Sequence, residues 1–234
     1  METLLSRHWH HLPPDEIETL LETSATKGLD IFELEHRLAH FGPNRLTTKK
    51  GKGPLELFFL QFHQPLVYIL LAAALVTFLL QEWVDSGVIF GVVLVNAVVG
   101  FIQESRALKA IEALAQSMEG SATVVRAGKK VRIPSAEVVP GDLVLLESGD
   151  KLPADLRLLR SRELRVDEST LTGESLPVQK RPDPLDQETV LADRHNMAYS
   201  STLVTYGTGA GLVVATGDAT EIGQINALIS SAQI

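Results

Sequence analysis

The chain has 234 residues, 45% of them hydrophobic, and a mean hydropathy of +0.12, high for a purely soluble protein and enough for one domain plus a membrane element. It has no cysteine, which excludes disulfides and thiolate metal sites. Its net charge of −8 argues against nucleic acid as a partner.

The opening residues, METLLSRHWHHLPPDE, lack the apolar core of a signal peptide, so membrane segments are expected to insert from the cytoplasmic side. His8, His10 and His11 cluster without fixed geometry, and a mobile tail is expected there rather than a metal site. Leu12-Pro13-Pro14 opens a small helix with Ile17, Leu20 and Leu21 on one face. Asp30 and Glu33 read as a capping box for a second helix, with Ile31, Leu34, Leu38 and Phe41 at helical spacing and Gly42-Pro43 as its stop. Two such helices could form a DNA-binding helix-turn-helix, but Glu33 and Glu35 beside Arg37 alone argue against it.

No Asp, Glu, Lys or Arg occurs from Leu57 to Gln81, nor from Ser86 to Gln103. Each stretch can cross a bilayer of about 30 Å as a helix of about 20 residues. A domain this small could hardly bury two such helices, so spans are expected at about 60–81 and 85–103. Lys49, Lys50 and Lys52 precede the first and Arg106 and Lys109 follow the second, whereas Gln81 to Asp85 holds no basic residue. The positive-inside rule then places both ends in the cytoplasm, with Trp83 at the opposite interface. Glu104 to Met118 continues as an amphipathic stalk, with Leu108, Ile111 and Leu114 or Ala115 on one side.

From Ser121 the pattern turns to short β runs at 122–126, 130–133, 142–147, 156–159, 201–204 and 211–215. Glycines and prolines punctuate them, among them Pro140-Gly141, Gly149 and the group Gly207 to Gly211. A small sandwich or distorted jelly roll is expected. Asp183 to Arg194 reads as a polar loop, and Thr220 to Ile234 as the start of another helix.

Within this β region lies VDESTLTGESLPVQK, Val166 to Lys180. Thr172-Gly173-Glu174-Ser175 sets one carboxylate in a tight turn. Gly173 lets the backbone approach another group closely, and the Thr172 and Ser175 hydroxyls can donate hydrogen bonds beside a carboxylate able to orient a water. Such a turn suits a phosphate, although four turn formers alone equally describe a solvated bend. Pro177 stiffens its exit, and Asp167 and Glu168 are expected to hold the turn or face solvent.

The surrounding order is Pro140-Gly141-Asp142, Gly149 to Asp155, Val166 to Ser175, Asn196-Met197-Ala198-Tyr199 and Thr216 to Gly223. It resembles the actuator domain of P-type cation-transporting ATPases, closest to the calcium-pump-like branch. Gly28-Leu29-Asp30 and Phe41 to Leu46 resemble the N-terminal domain that precedes the first membrane helix in these pumps, and with it comes the expectation of an intact natural N-terminus. The resemblance runs from about Trp9 to Ile225. It implies an α+β membrane protein with a cytoplasmic helical domain (1–50), a transmembrane hairpin with stalk (51–118), an all-β distorted jelly-roll actuator domain (119–219) and the start of a further stalk helix (220–234).

The same resemblance implies that Glu174 positions the water that hydrolyses an aspartyl phosphate, with Thr172, Gly173 and Ser175 completing the site. Implied partners are the lipid bilayer, the phosphorylation and nucleotide-binding domains of the same pump and the transported cation, Ca²⁺ first, with Na⁺, K⁺ and Mn²⁺ left open. No cofactor is expected in this chain; Mg²⁺ and ATP belong to the full-length pump. The sequence holds no Asp-Lys-Thr-Gly phosphoacceptor and no Gly-x-x-x-x-Gly-Lys-Ser/Thr loop, so alone it is expected neither to hydrolyse ATP nor to transport. Thr216-Gly217-Asp218 echoes a phosphorylation-domain motif, but its context matches the end of the actuator domain, and Asp218 is given no metal role. Ser201 departs from the family pattern, which has glycine before Thr202. The alternative is a free-standing, non-enzymatic truncated membrane protein, accessory to a pump or a gene relic.

Overall fold

The computed structural model describes residues 8–47, 53–117 and 120–232. The chain divides into two compact units, one of Met1–Thr47 with Glu119–Ile234 and one of Thr48–Met118. The basic flank Lys49, Lys50 and Lys52, the first seven residues, the stalk end at Met118 and residues 233–234 lie outside the described residues, as do the side chains of Glu112 and Ala115.

The first unit opens with a 3₁₀ turn, Trp9–His11, and helix α1, Pro14–Leu20. Ile17 is fully buried and Leu21 nearly so. The terminal histidines do not form the expected loose tail. Trp9 and His10 are buried, and the carbonyls of Trp9, His10 and Leu12 accept hydrogen bonds from Arg157 and Asn196. Helix α2, Ile31–Phe41, is capped by Asp30, which accepts the Ile31 N–H at 2.6 Å, and stops at Gly42 with φ +72°. Its apolar stripe faces outward, Ile31 being 63% exposed, and Arg37 is the residue that docks the helix. The Arg37 guanidinium donates to Leu21 O at 2.6 Å and Pro140 O at 2.8 Å, and Glu33 turns toward it at 3.6 Å instead of closing a capping box. A buried cation that satisfies two carbonyls replaces the apolar contact that periodicity suggests.

In the second unit, helix α3, Pro54–Leu60, ends where the first span was expected to begin, and helix α4, Pro65–Leu79, lies within the expected 60–81. They are bent by 69°. Pro65 accounts for the break: it lacks an N–H and drives Gln64 to extended backbone, φ −124° and ψ 140°. With 15 residues, α4 alone is about 22 Å long, short of the roughly 30 Å apolar layer. Helix α5, Trp83–Ser117, runs unbroken for 35 residues through the second expected span and the stalk. Among the described residues, only its Trp83–Ile111 stretch is by itself long and apolar enough to cross a membrane; α3 and α4 qualify together as one bent pair. Ser86 Oγ donates to Ala74 O at 2.9 Å between α4 and α5, and Gln61 Nε2 to Glu104 Oε2 at 2.6 Å. Elsewhere Leu66, Ile69, Leu79, Val88 and Val95 point outward, each at least 60% exposed, an apolar surface too large for water.

The chain then returns to the first unit. Strands β1, Ser121–Arg126, and β2, Lys129–Pro134, form a hairpin over Ala127-Gly128, both at positive φ as a two-residue hairpin turn requires. There follow β3, Leu143–Glu147, β4, Asp155–Asp167, a short helix α6, Ser169–Thr172, β5, Val178–Gln179, β6, Met197–Ala198, β7, Leu203–Ala215, and helix α7, Glu221–Ala232. The sheet order is β2-β1-β3-β7-β4-β5, with β6 beside β4, and every pairing is antiparallel.

Successive residues face opposite sides of the sheet, which makes two cores. Val124, Val144, Leu156, Leu158, Val166 and Val213 fill one. Val125, Leu143, Leu212 and Val214 face the other, where Trp9, Leu12, Ile17 and Leu21 cover them. The N-terminal segment, expected as a separate helical domain, therefore shares its core with the β sheet; each such aliphatic side chain contributes about 1.5–3 kcal/mol of burial.

β4 and β7 are far longer than the expected runs at 156–159, 201–204 and 211–215. The glycines from 207 to 211 do not break β7; they let β4 cross close above it. A Cβ at Gly207, where φ is +80°, would lie 2.3 Å from Glu163 O, and one at Gly209 2.8 Å from Leu164 Cδ2. Register shifts along β4, as between Leu158 and Arg160, bend the pair and carry β4 past the core to the candidate loop.

Candidate functional site

β4 delivers the chain to the Thr172-Gly173-Glu174-Ser175 turn and β5 takes it back, with Val166 opposite Val178 and Arg165 opposite Gln179. The loop between them is organised from Glu168. Its carbonyl accepts Leu171 N–H and Thr172 N–H, each at 2.9 Å, and the Thr172 hydroxyl at 3.1 Å. Thr172 Oγ1 in turn accepts the Glu174 N–H at 3.3 Å. Gly173 closes α6 in the left-handed region, φ +78° and ψ −1°, and a Cβ built on it would meet nothing within 4 Å. Gly173, Glu174, Ser175, Leu176 and Pro177 are all exposed, Leu176 by 80%.

The four residues singled out from sequence thus lie together at a loop tip. Thr172 is turned inward as a brace, and Glu174 is exposed to solvent. Asp167 accepts the Ser169 N–H at 3.0 Å, and that bond, with the Ser169 hydroxyl, holds its carboxyl below the usual range.

Beneath the tip is a pair that sequence reasoning missed. Glu168 neither faces solvent nor merely holds the turn: it is 1% exposed, and its Oε1 lies 2.6 Å from Nζ of Lys180, whose side chain is fully buried. Burial pushes the Glu168 carboxyl up and the Lys180 ammonium down, and their mutual contact opposes both shifts. Lys180 Nζ also stands 5.8 Å from the Tyr199 ring centroid. Strand alternation carried the signal, since Val166 and Glu168 on one arm and Val178 and Lys180 on the other share a side with period two. The two ends of the loop are therefore clamped by an ion pair out of water.

The other strings that carry the resemblance serve the frame. Asp142 accepts two bonds from Arg126, at 2.8 and 2.7 Å, and the Val139 N–H at 2.9 Å. Asp155 accepts the N–H groups of Ser200 and of Glu221, at the start of α7, both at 2.8 Å. Burial nevertheless raises its pKa to about 7, with nearby Glu221 and Glu168 adding to the effect. Arg157 donates to the carbonyls of Trp9, Leu12, Leu158 and Pro182, and burial lowers its pKa to about 10. Asp218 accepts from the Thr47 N–H at 2.8 Å and from the Thr47 hydroxyl, which holds its carboxyl low. Ser201 has φ +68°, the left-handed conformation for which glycine is suited. Among the described residues no three His, Asp or Glu side chains converge to hold a metal ion.

Residues 116–230 match the P-type ATPase actuator domain, and residues 9–77 match the N-terminus of cation transporters and ATPases. The chain belongs to the P-type cation-transporting ATPase family. It is 52% identical over 225 residues to the probable cation-transporting ATPase F of Mycobacterium tuberculosis, a match covering 96% of this chain and 25% of that protein. It is 51% identical to the cation-transporting ATPase pma1 of Synechocystis sp. over 96% of this chain and 25% of the relative, and 41% identical to a calcium-transporting ATPase of Bacillus subtilis over the same shares. The chain therefore spans about a quarter of the length of these P-type ATPases and carries their N-terminal cation-ATPase region and actuator domain.

Proposed function

We propose that this chain supplies the N-terminal region, a membrane hairpin and the actuator of an ATP-driven cation pump, and that Glu174 promotes hydrolysis of an aspartyl phosphate held by another domain of that pump. The observation that carries the proposal is the open Glu174 carboxylate on an exposed, internally braced tip within a family-matched actuator domain. In this reaction a water attacks phosphorus and breaks the bond to the aspartyl oxygen. Glu174 orients that water and takes its proton, leaving aspartate and inorganic phosphate. Gly173 keeps the tip free of side-chain bulk, Thr172 fixes the direction of the Glu174 backbone, and the Ser175 hydroxyl faces the phosphate region.

The remaining assignments follow the same reading. Residues 1–50 supply the cytoplasmic N-terminal region, whose described part packs on the sheet in one unit with it, 51–118 the hairpin and stalk, 119–219 a distorted jelly-roll actuator and 220–234 the start of a further stalk. The bent α3–α4 pair and α5 cross the bilayer, with the short acidic turn outside and the actuator in the cytoplasm. α5 joins its span to the stalk without a break, which suits it to transmit motion of the actuator to the membrane. Mg²⁺ and ATP are assigned to other domains of the pump, since this sequence holds neither an Asp-Lys-Thr-Gly phosphoacceptor nor a Gly-x-x-x-x-Gly-Lys-Ser/Thr loop. Relatives 41–45% identical are named calcium-transporting, which supports Ca²⁺ as the first cargo to try.

The test is ATP-dependent uptake by the full-length protein reconstituted in vesicles, with Ca²⁺ tried first. Uptake that disappears in Glu174→Gln supports the proposal. A full-length protein that moves no cation with ATP present contradicts it.

A further inference from the structure

The N-terminal segment covers only part of its face of the sheet. Beyond it the same face forms a groove of about 450 Å³. Leu145 is the partly exposed apolar residue of its floor, flanked by Val125 and Ala210, which are largely buried, and Lys130, Arg160 and Arg162 form its rim. Strand register explains how these residues meet. Lys130 is opposite Val125, Leu145 opposite Ala210, Arg160 opposite Ala210, and Arg162 opposite Thr208, so all of them project from one side.

The charge of this groove is opposite to that of the chain. Overall there are 21 Lys and Arg against 29 Asp and Glu, yet three cations and no carboxylate line the groove. Arg160 spends one N–H on Ala25 O at 3.3 Å and keeps the rest of its fork; all three cations are exposed. Lys130 on β2 and Arg160 on β4 are four strand spacings apart, roughly 19 Å at about 4.8 Å each. An extended polypeptide of about six residues covers that distance. The lining residues come from neighbouring strands β2, β1, β3, β7 and β4, so the groove suits a chain lying across the strands.

We propose that this groove binds an acidic polypeptide segment, its carboxylates on Lys130 at one end and on Arg160 and Arg162 at the other, and its backbone and methylenes over Leu145. The site is separate from Glu174 and stands whether or not Glu174 is hydrolytic.

The experiment titrates fluorescein-labelled hexaglutamate onto the full chain in detergent micelles at low and high salt. The proposal expects saturable binding weakened by salt, weakened about two- to fivefold by each of Lys130→Gln, Arg160→Gln and Arg162→Gln, and unchanged in Arg181→Gln, a basic residue outside the groove. Unchanged melting temperature in each variant confirms that the sheet is intact, and a variant that fails this check is replaced by the Lys–Arg exchange at the same site, which keeps the charge and is expected to retain binding. No binding at millimolar peptide, binding indifferent to all three substitutions, or displacement of the peptide by equimolar ATP in a groove-dependent manner overturns the proposal, the last in favour of a nucleotide.

Discussion

Replacing Lys180 by Met tests whether the buried pair holds up the Glu174 loop. Met keeps the aliphatic stem and removes the ammonium that stands 2.6 Å from Glu168, both side chains being at most 1% exposed. The carboxylate is then left out of water with no counter-ion, which costs about 3–5 kcal/mol. Against a domain stability of about 5–15 kcal/mol this is severe, and for a unit of this size it lowers the melting temperature by roughly 6–20 °C. The cost depends on pH with a definite sign. Burial already raises the Glu168 carboxyl, and loss of Lys180 raises it further, so the protonated form fits the fold. Stability lost at pH 8 is therefore partly regained as pH falls toward the unfolded carboxylate value of about 4.3. Glu168→Gln in the Lys180→Met background removes the orphan charge and recovers most of the loss. Unfolding is followed by the fluorescence of Trp9, which is 4% exposed in the same unit, after Trp83→Phe has silenced the tryptophan of the other. A loss below about 1 kcal/mol, the range of exposed pairs, together with no difference between pH 5 and pH 8, refutes the reasoning.

Two other substitutions probe the frame. Asp155 has a folded pKa of about 7 against an ordinary 3.8, so the stability it contributes is full below about pH 4 and is lost as pH rises through 7. Asp155→Asn should flatten the fall in unfolding free energy between pH 5 and 8, and an unchanged slope assigns that fall to another group. Ser201→Gly relieves a left-handed backbone at φ +68°, worth about 1–2 kcal/mol, against about 0.5–1 kcal/mol of added chain entropy. A net gain of about 0.5–1 kcal/mol in denaturant unfolding is expected; a loss shows that the serine side chain makes up for the strain.

What was legible in the sequence was local. The Thr172 to Ser175 turn depends on a glycine at positive φ and a short-range threonine brace, both set by residues within the string itself. The Asp30 cap and the Gly42 stop were visible for the same reason. The rest depended on distant partners. Arg37 looks like a solvated helix residue until Leu21 and Pro140 bring their carbonyls to it, and Lys180 looks like a loop exit until β4 returns Glu168 beneath it. Gly207 and Gly209 read as turn formers because their neighbours in space, Glu163 and Leu164, lie over forty residues away. Pro65 was within view in the first apolar run, but hydropathy averages over a single proline, and the break that it imposes went unread.

The central claim is that Glu174 activates the hydrolytic water, and the most direct measurement is phosphoenzyme decay in the full-length protein. Enzyme phosphorylated from radiolabelled ATP is chased with excess unlabelled nucleotide, and acid-stable label is followed in the wild type and in Glu174→Gln. The account predicts that the variant forms phosphoenzyme and loses it about 10²–10⁴ times more slowly, the range for removal of a general base. Decay at the wild-type rate would contradict it and remove Glu174 from the chemistry.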